Sequence, residues 1–197
     1  MANGRVITGF SLPYVAEYGT TTGTQGVELD YSNGAILARG VSVSLSVDSA
    51  DDNNFYADNV LAESAVGSFG GGELTLTVDG LFDASTKLIL GLPSADGSGW
   101  THYGDDMAIP YVGVGFIVRY MSAGVTSYVP VVLHKCKFKV PNTDANTQED
   151  SIDWQTQELT AAIMRDDTAN HEWKVVGSAV TTEAAAEALI KSYLSIP

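Results

Sequence analysis

The stretch YVGVGFIVRYMSAGVTSYVPVVLHKCKFKV, from Tyr111 to Val140, limits the fold more than any other part of the chain. It reads as two long β-strands joined around Ser122-Ala123-Gly124. The first, Tyr111 to Met121, is apolar on both faces apart from Arg119. At about 3.3 Å per residue it spans roughly 36 Å, about twice the common strand length. A strand apolar on both faces needs cover on both sides, and part of that cover is expected from another chain. Gly113 and Gly115 share one face and permit a close approach there. On the second strand Lys135, Lys137 and Lys139 share one face, while His134, Cys136, Phe138 and Val140 share the other and line a core. Pro130 has no amide donor, which implies an edge position or a bulge.

Period-two alternation recurs elsewhere. Val41, Val43, Leu45 and Val47 alternate with serines, and Leu74, Leu76 and Val78 alternate with polar residues. Each run reads as a strand with one buried face. Tyr31-Ser32-Asn33-Gly34 carries the Asn-Gly signal of a tight hairpin turn. Ser151 to Arg165 is expected to be a strand, with a helix from Gln155 onward as the alternative. Ile152, Trp154, Thr156, Glu158, Thr160, Ala162 and Met164 fall on one side of it and Leu159, Ala161 and Ile163 on the other, and His171 to Val176 reads as a further strand. Two helices are expected. Asp83 caps a short one that ends at Gly91, and Thr181 to Ser195 forms a longer one with Lys191 four residues after Glu187. Residues 1–197 therefore read as a single, mainly β (α+β) domain with two helices.

Bulk composition narrows function. The formal net charge is −14, from 24 acidic and ten basic residues. Such a surface repels DNA and anionic membrane. Cys136 is the only cysteine, so no internal disulfide can form. No segment at the N-terminus reads as a signal peptide, and no run approaches the ~18 apolar residues of a membrane span.

The segment DSADDNNFYADNVLAE, Asp48 to Glu63, crowds acids and asparagines around one Phe-Tyr pair. As a calcium loop it fails: starting at Asp48 or at Asp52, the sixth position is Asn53 or Ala57 where an EF-hand needs glycine. It is expected instead to be a connecting loop in which Phe55 and Tyr56 anchor a partner, with Asp51, Asp52 and Asp58 solvated or paired across that contact. The Lys135/Lys137/Lys139 row either protects its strand from unwanted pairing or meets such an acidic loop on a neighbour. His102, His134 and His171 lie on separate segments without zinc spacing, and no nucleophile elbow or phosphate loop occurs. Asp105-Asp106 is the nearest approach to a carboxylate pair and reads as solvated. No catalytic residue, cofactor or metal is assigned, and an enzyme is not expected.

With these stretches on the page, the chain resembles the major tail proteins, or tail-tube subunits, of long non-contractile-tailed bacteriophages of Gram-positive bacteria. The resemblance is carried by VSVSLSVDSADDNNFYADNVLAES, GELTLTVDGLFDASTKLILGL, IPYVGVGFIVRYMSAGVTSYVPVVLHKCKF and SIDWQTQELTAAIMRDDTANHEWKVVG with the alanine-rich helix after it. It implies two packed antiparallel β-sheets, sandwich- or barrel-like, flanked by a short helix and a C-terminal helix. It implies six-membered rings whose strands join in an inner barrel, stacked into a tube in the virion tail and assembled in the host cytoplasm. The implied partners are further copies of the chain, the tape-measure protein, tail-tip and tail-terminator proteins, and DNA that passes without specific binding. No added immunoglobulin-like domain is expected. Asp153, Gln155 and Gln157, on the more polar side of their strand, are the candidates for the lumen. The competing expectation is a monomeric β-sandwich that stacks carbohydrate on Trp100, Tyr103, Trp154 and Trp173.

Overall fold

A computed structural model describes residues 4–24, 26–49, 53–65, 67–105, 107–147 and 154–197. The protein is mainly β. In chain order the elements are β1 (Val6–Gly23), β2 (Gly26–Ile36), β3 (Gly40–Ser49), β4 (Asn53–Ala57), β5 (Val60–Ala65), β6 (Phe69–Val78), α1 (Asp83–Leu90), β7 (Val112–Ser122), β8 (Val125–Phe138), β9 (Gln157–Met164), β10 (Lys174–Val176) and α2 (Glu183–Tyr193). Eight strands form one antiparallel sheet in the order β2-β1-β7-β8-β9-β6-β3, with β10 also paired to β8. Strands β4 and β5 form a separate two-stranded sheet.

The large sheet makes two layers by folding on itself. Strand β8 divides its second edge: Val131–Leu133 pair with β10, and Lys135–Phe138 pair with β9. Beyond that point the β9–β6–β3 arm turns over the β1–β7–β8 arm. Val15, Val114, Phe116 and Leu133 from one arm then share a core with Leu74, Leu76, Leu159 and Ile163 from the other. Helix α1 adds Ile89 and Leu90 to this core. The opposite face of β1–β7–β8 carries a second core, in which Tyr14, Ile117 and Val132 pack against Ala186, Ile190 and Leu194 of α2 and its C-terminal end.

Over Val112–Ile117 and Val129–Leu133 the long β7–β8 hairpin is thus covered on both faces by its own chain, and there the cover expected from a neighbour is supplied internally; Met121 and Val125 beside the turn are exposed. Gly113 and Gly115 are what let α2 sit so close. A Cβ at Gly115 would lie 2.5 Å from Ile190, and one at Gly113 would lie 2.9 Å from Leu194 and 2.5 Å from Tyr31. The turn falls at Ala123-Gly124, both at positive φ, between the paired Ser122 and Val125. Pro130 sits where its missing amide does no harm, between the β10 ladder and the isolated Tyr128–Val180 bridge.

Several local expectations are corrected. Asn33-Gly34 is not a hairpin turn but an irregularity inside β2. Glu17 pairs with Ser32 and Val15 with Ala35, so two residues oppose Ala16, and the chain reverses at Gly23–Gly26 instead. His134 does not share a face with Cys136 and Phe138. The register shifts from Val114–Leu133 to Val112–Cys136, and this extra residue in β8 turns His134 toward α2. Cys136 and Phe138 do enter the core, whereas Val140 is exposed. Asp83 is the first helical residue of α1 rather than its cap; Phe82 holds that position without a side-chain bond, and Gly91 closes the helix at φ 63°. Thr182 caps α2 by accepting from the Ala185 amide. The expected strand from Ser151 begins at Gln157 among the described residues, and the one from His171 is shortened to Lys174–Val176. In β9 the buried side is that of Leu159, Ala161 and Ile163, which is also the side of Gln157, so along β9 the side expected to be the more polar one is the inner one.

Candidate functional site

The Asp48–Glu63 segment is expected from the sequence to be a loop; Asp48 belongs to β3, and the described part from Asn53 onward is a β-hairpin, β4–β5. Its tip is Asp58-Asn59, at φ 51° and 64°. Positive φ at both central residues marks the turn whose twist matches that of paired strands, and Asp and Asn adopt it at low cost. Ala57 pairs with Val60, Tyr56 with Leu61 and Phe55 with Glu63, with Ala62 left over as a bulge. Paired residues share a face, so Tyr56 and Leu61 lie on one side. Phe55, Ala57 and Val60 lie on the other.

Both faces are apolar, and both are wet. Phe55 and Tyr56 are each 62% exposed, Val60 66% and Leu61 50%. None of the four belongs to either core, and the hairpin pairs with no strand of the main sheet. An isolated two-stranded hairpin is marginal in water, so its order calls for a partner surface. Asp58 stands at the tip. Asp51 and Asp52 lie outside the described residues.

The lysine row is largely satisfied within the chain. The Lys135 ammonium donates to both carboxylate oxygens of Asp167, at 2.7 and 3.0 Å, and lies over the rings of Tyr18 and Tyr111. That bond from Lys135, helped by the Tyr18 hydroxyl, holds the Asp167 carboxyl below its ordinary range against the opposing effect of burial. Lys139 donates to Glu73 at 2.8 Å. Lys137 rests over Tyr111. The structure therefore separates the two groups of contact candidates: Asp58 stands at the hairpin tip, while Lys135 and Lys139 bind Asp167 and Glu73 and Lys137 lies over Tyr111.

Of the lumen candidates, Gln157 opens β9 and Gln155 precedes it. Both line a polar cavity of about 540 Å³ with Asp79, Lys139, Asp144 and Glu158. Asp153 lies outside the described residues. Among the aromatics weighed for sugar stacking, Trp173 is taken up by a parallel stack on Phe69 at 4.7 Å. Trp100, Tyr103 and Trp154 are exposed. Asp105 is exposed, and Asp106 lies outside the described residues.

One polar constellation has no signal in the sequence. Asp166, buried, binds the Nδ1 of His134 at 2.8 Å through one oxygen. Through the other it accepts from the Thr168 amide and hydroxyl. The Nε2 of His134 meets the Tyr193 hydroxyl at 2.9 Å. Burial raises the Tyr193 phenol above its ordinary range. The chain Thr168–Asp166–His134–Tyr193 thereby ties the last turn of α2 to the bulge in β8. Only that bulge brings these groups together, which is why residue spacing could not reveal them. Among the described residues no buried side-chain polar atom lacks a partner. Nor do three of His, Cys, Asp or Glu converge as metal ligands among them. Cys136 is free and fully buried, and burial pushes its thiol up, away from the reactive thiolate. No helix among the described residues is long and apolar enough to cross a membrane.

Among the described residues the geometry thus contains a body whose buried polar groups are satisfied and, standing apart from its sheet, the uncovered β4–β5 hairpin. No protein-family model and no curated protein matches the chain.

Proposed function

We propose that the chain is a structural virion protein: the major tail-tube subunit of a long non-contractile phage tail. It polymerises as stacked six-membered rings around the tape-measure protein and forms the conduit for DNA. The observation that carries this is the projecting hairpin, apolar on both faces and without cover from its own chain. A subunit that must hold another subunit needs such a surface, and a monomer is burdened by it. The resemblance in the sequence supports the same assembly, and the net charge of −14 suits a conduit from which DNA is repelled. The assembly requires no cofactor, because conduction and stacking involve no bond chemistry.

Negative-stain microscopy of concentrated protein tests this. Rings or tubes are expected from the wild type, and the double variant Phe55→Ala/Tyr56→Ala should form neither while keeping the fold of the monomer. A wild-type chain that stays monomeric at every concentration and salt overturns the proposal. Tubes of normal yield from the double variant would return the hairpin to a passive role.

A further inference from the structure

The body offers one place shaped for a two-faced apolar wedge. A cleft of about 470 Å³ opens between the first residues of β1 with the far end of β7 on one side and β3 on the other. Ile7, Phe10 and Val118 line the first wall, and Val41, Val43 and Leu45 the second. The walls meet where Gly40 passes the Phe10 ring, so closely that a Cβ there would lie 2.1 Å from it. Away from that point the apolar lining is open to water: Ile7 is 63% exposed, Val41 55% and Val176 52%. In β3 the alternation gives a half-buried face: Val43 and Leu45 pack against the core, while Val41 and Val47 toward the two ends of the strand are exposed.

The charges of cleft and hairpin are opposite. No acid lines the cleft, although the chain carries 24 acids to ten bases. Lys174 lies in it, and Arg5 stacks over Tyr120, another lining residue, at 4.5 Å. Neither cation has a carboxylate partner among the described residues. The hairpin bears Asp58 and Glu63, and no Lys or Arg occurs anywhere from Gly40 to Thr86.

We infer that this cleft receives the β4–β5 hairpin of a second copy of the chain, an inference that rests on the subunit reading above and names the surface the hairpin meets. A strand pair apolar on one face docks on a flat surface. One that is apolar on both faces is covered only when it lies between two walls, and the cleft provides two. Its acids then meet Lys174 and Arg5. The chain's own hairpin springs from the Ser49 end of β3, roughly 26 Å along the strand from Val41 at ordinary strand rise. Wedge and cleft are different surfaces of one protein, so the contact is head-to-tail and repeats from copy to copy instead of ending in a two-fold dimer.

Two chains with one introduced cysteine each test it, Val41→Cys and Tyr56→Cys, both keeping the buried Cys136, mixed and oxidised with copper-phenanthroline. The mixed disulfide is expected to form about tenfold faster than either homodimer, and Lys174→Glu to weaken self-association about tenfold, with Asp58→Lys restoring it. Circular dichroism of each variant checks that the fold is retained. If the wild type assembles but the mixed disulfide shows no preference and Lys174→Glu has no effect, the cleft is overturned and the subunit reading stands. A wild type that never assembles overturns the subunit reading, and the disulfide, which traps weak encounters, still decides the cleft. A Val41→Cys/Tyr56→Cys chain that closes into an internally bridged monomer at high dilution puts the chain's own hairpin in the cleft and overturns the second copy as occupant.

Discussion

The β7–β8 and β4–β5 hairpins are built on the same kind of turn and end in opposite circumstances. Each reverses over two residues at positive φ, Ala123-Gly124 in one and Asp58-Asn59 in the other. Each carries apolar side chains on both faces. In the long hairpin Val112–Ile117 and Val129–Leu133 are enclosed, by α2 on one side and the folded-over arm on the other, and Met121 and Val125 beside the turn are exposed. In the short one, Phe55, Tyr56, Val60 and Leu61 meet water. Apolar content therefore does not show where a chain needs a neighbour. Sequence alone expected a neighbour at Phe55 and Tyr56 and, because of its many apolar residues, at the long hairpin as well. Folding meets the need there and leaves it unmet in a segment whose acids and asparagines make it look like an ordinary solvated loop.

The contrast can be broken by substitution. Phe116→Ala, which empties a core position of the long hairpin and removes its edge-on contact with Phe10, should cost about 3–5 kcal/mol in urea unfolding. Asp166→Ala should cost about 3 kcal/mol, because it leaves His134 and Thr168 without their buried acceptor. Its effect should appear first as loosening of α2, read by hydrogen exchange at Ile190 and Leu194. Acid should act more weakly on the same cover. Glu187 is held below its ordinary range by the hydrogen bond from Tyr14 and then by Lys191, and Asp167 by Lys135. Depressed carboxylates contribute stability above about pH 4 and lose it as pH falls through their folded values. Asp167 is 54% exposed, so water screens most of its share. A shallow loss of near-ultraviolet circular dichroism is expected below about pH 4, flattened in Tyr14→Phe. Phe55→Ala/Tyr56→Ala should change monomer stability least, by no more than about 0.5 kcal/mol, despite removing two large aromatics. A cost comparable to that of Phe116→Ala would show that the short hairpin is covered after all, and the contrast would fail.

What the sequence disclosed follows from range. Alternation in β3, β6 and β9, the Ala123-Gly124 turn and the Thr182-capped helix are encoded within a few residues, and all were legible. What it hid depends on a partner strand. Asn33-Gly34 has the composition of a turn, but Ala16 across the ladder makes it a bulge. His134 has the parity of a core residue until one extra residue in β8 reverses it. The same applies to the candidate site. Phe55 and Tyr56 stood out by chemistry, and Asp58-Asn59 between two apolar triplets was a hairpin signal that the surrounding acids obscured. The cleft forms only where β1, β7 and β10 come to face β3, which nothing within β3 records.

The run without Lys or Arg from Gly40 to Thr86 has a practical consequence. Trypsin finds no cleavage site there, so the hairpin survives digestion on one peptide ending at Lys87. Chymotrypsin, which cuts after aromatic residues, has Phe55 and Tyr56 presented to it on an exposed strand pair. Paired digests with the two proteases thus give a gel-based gauge of whether the hairpin is free or seated, applicable to crude lysate and to assembled particles alike.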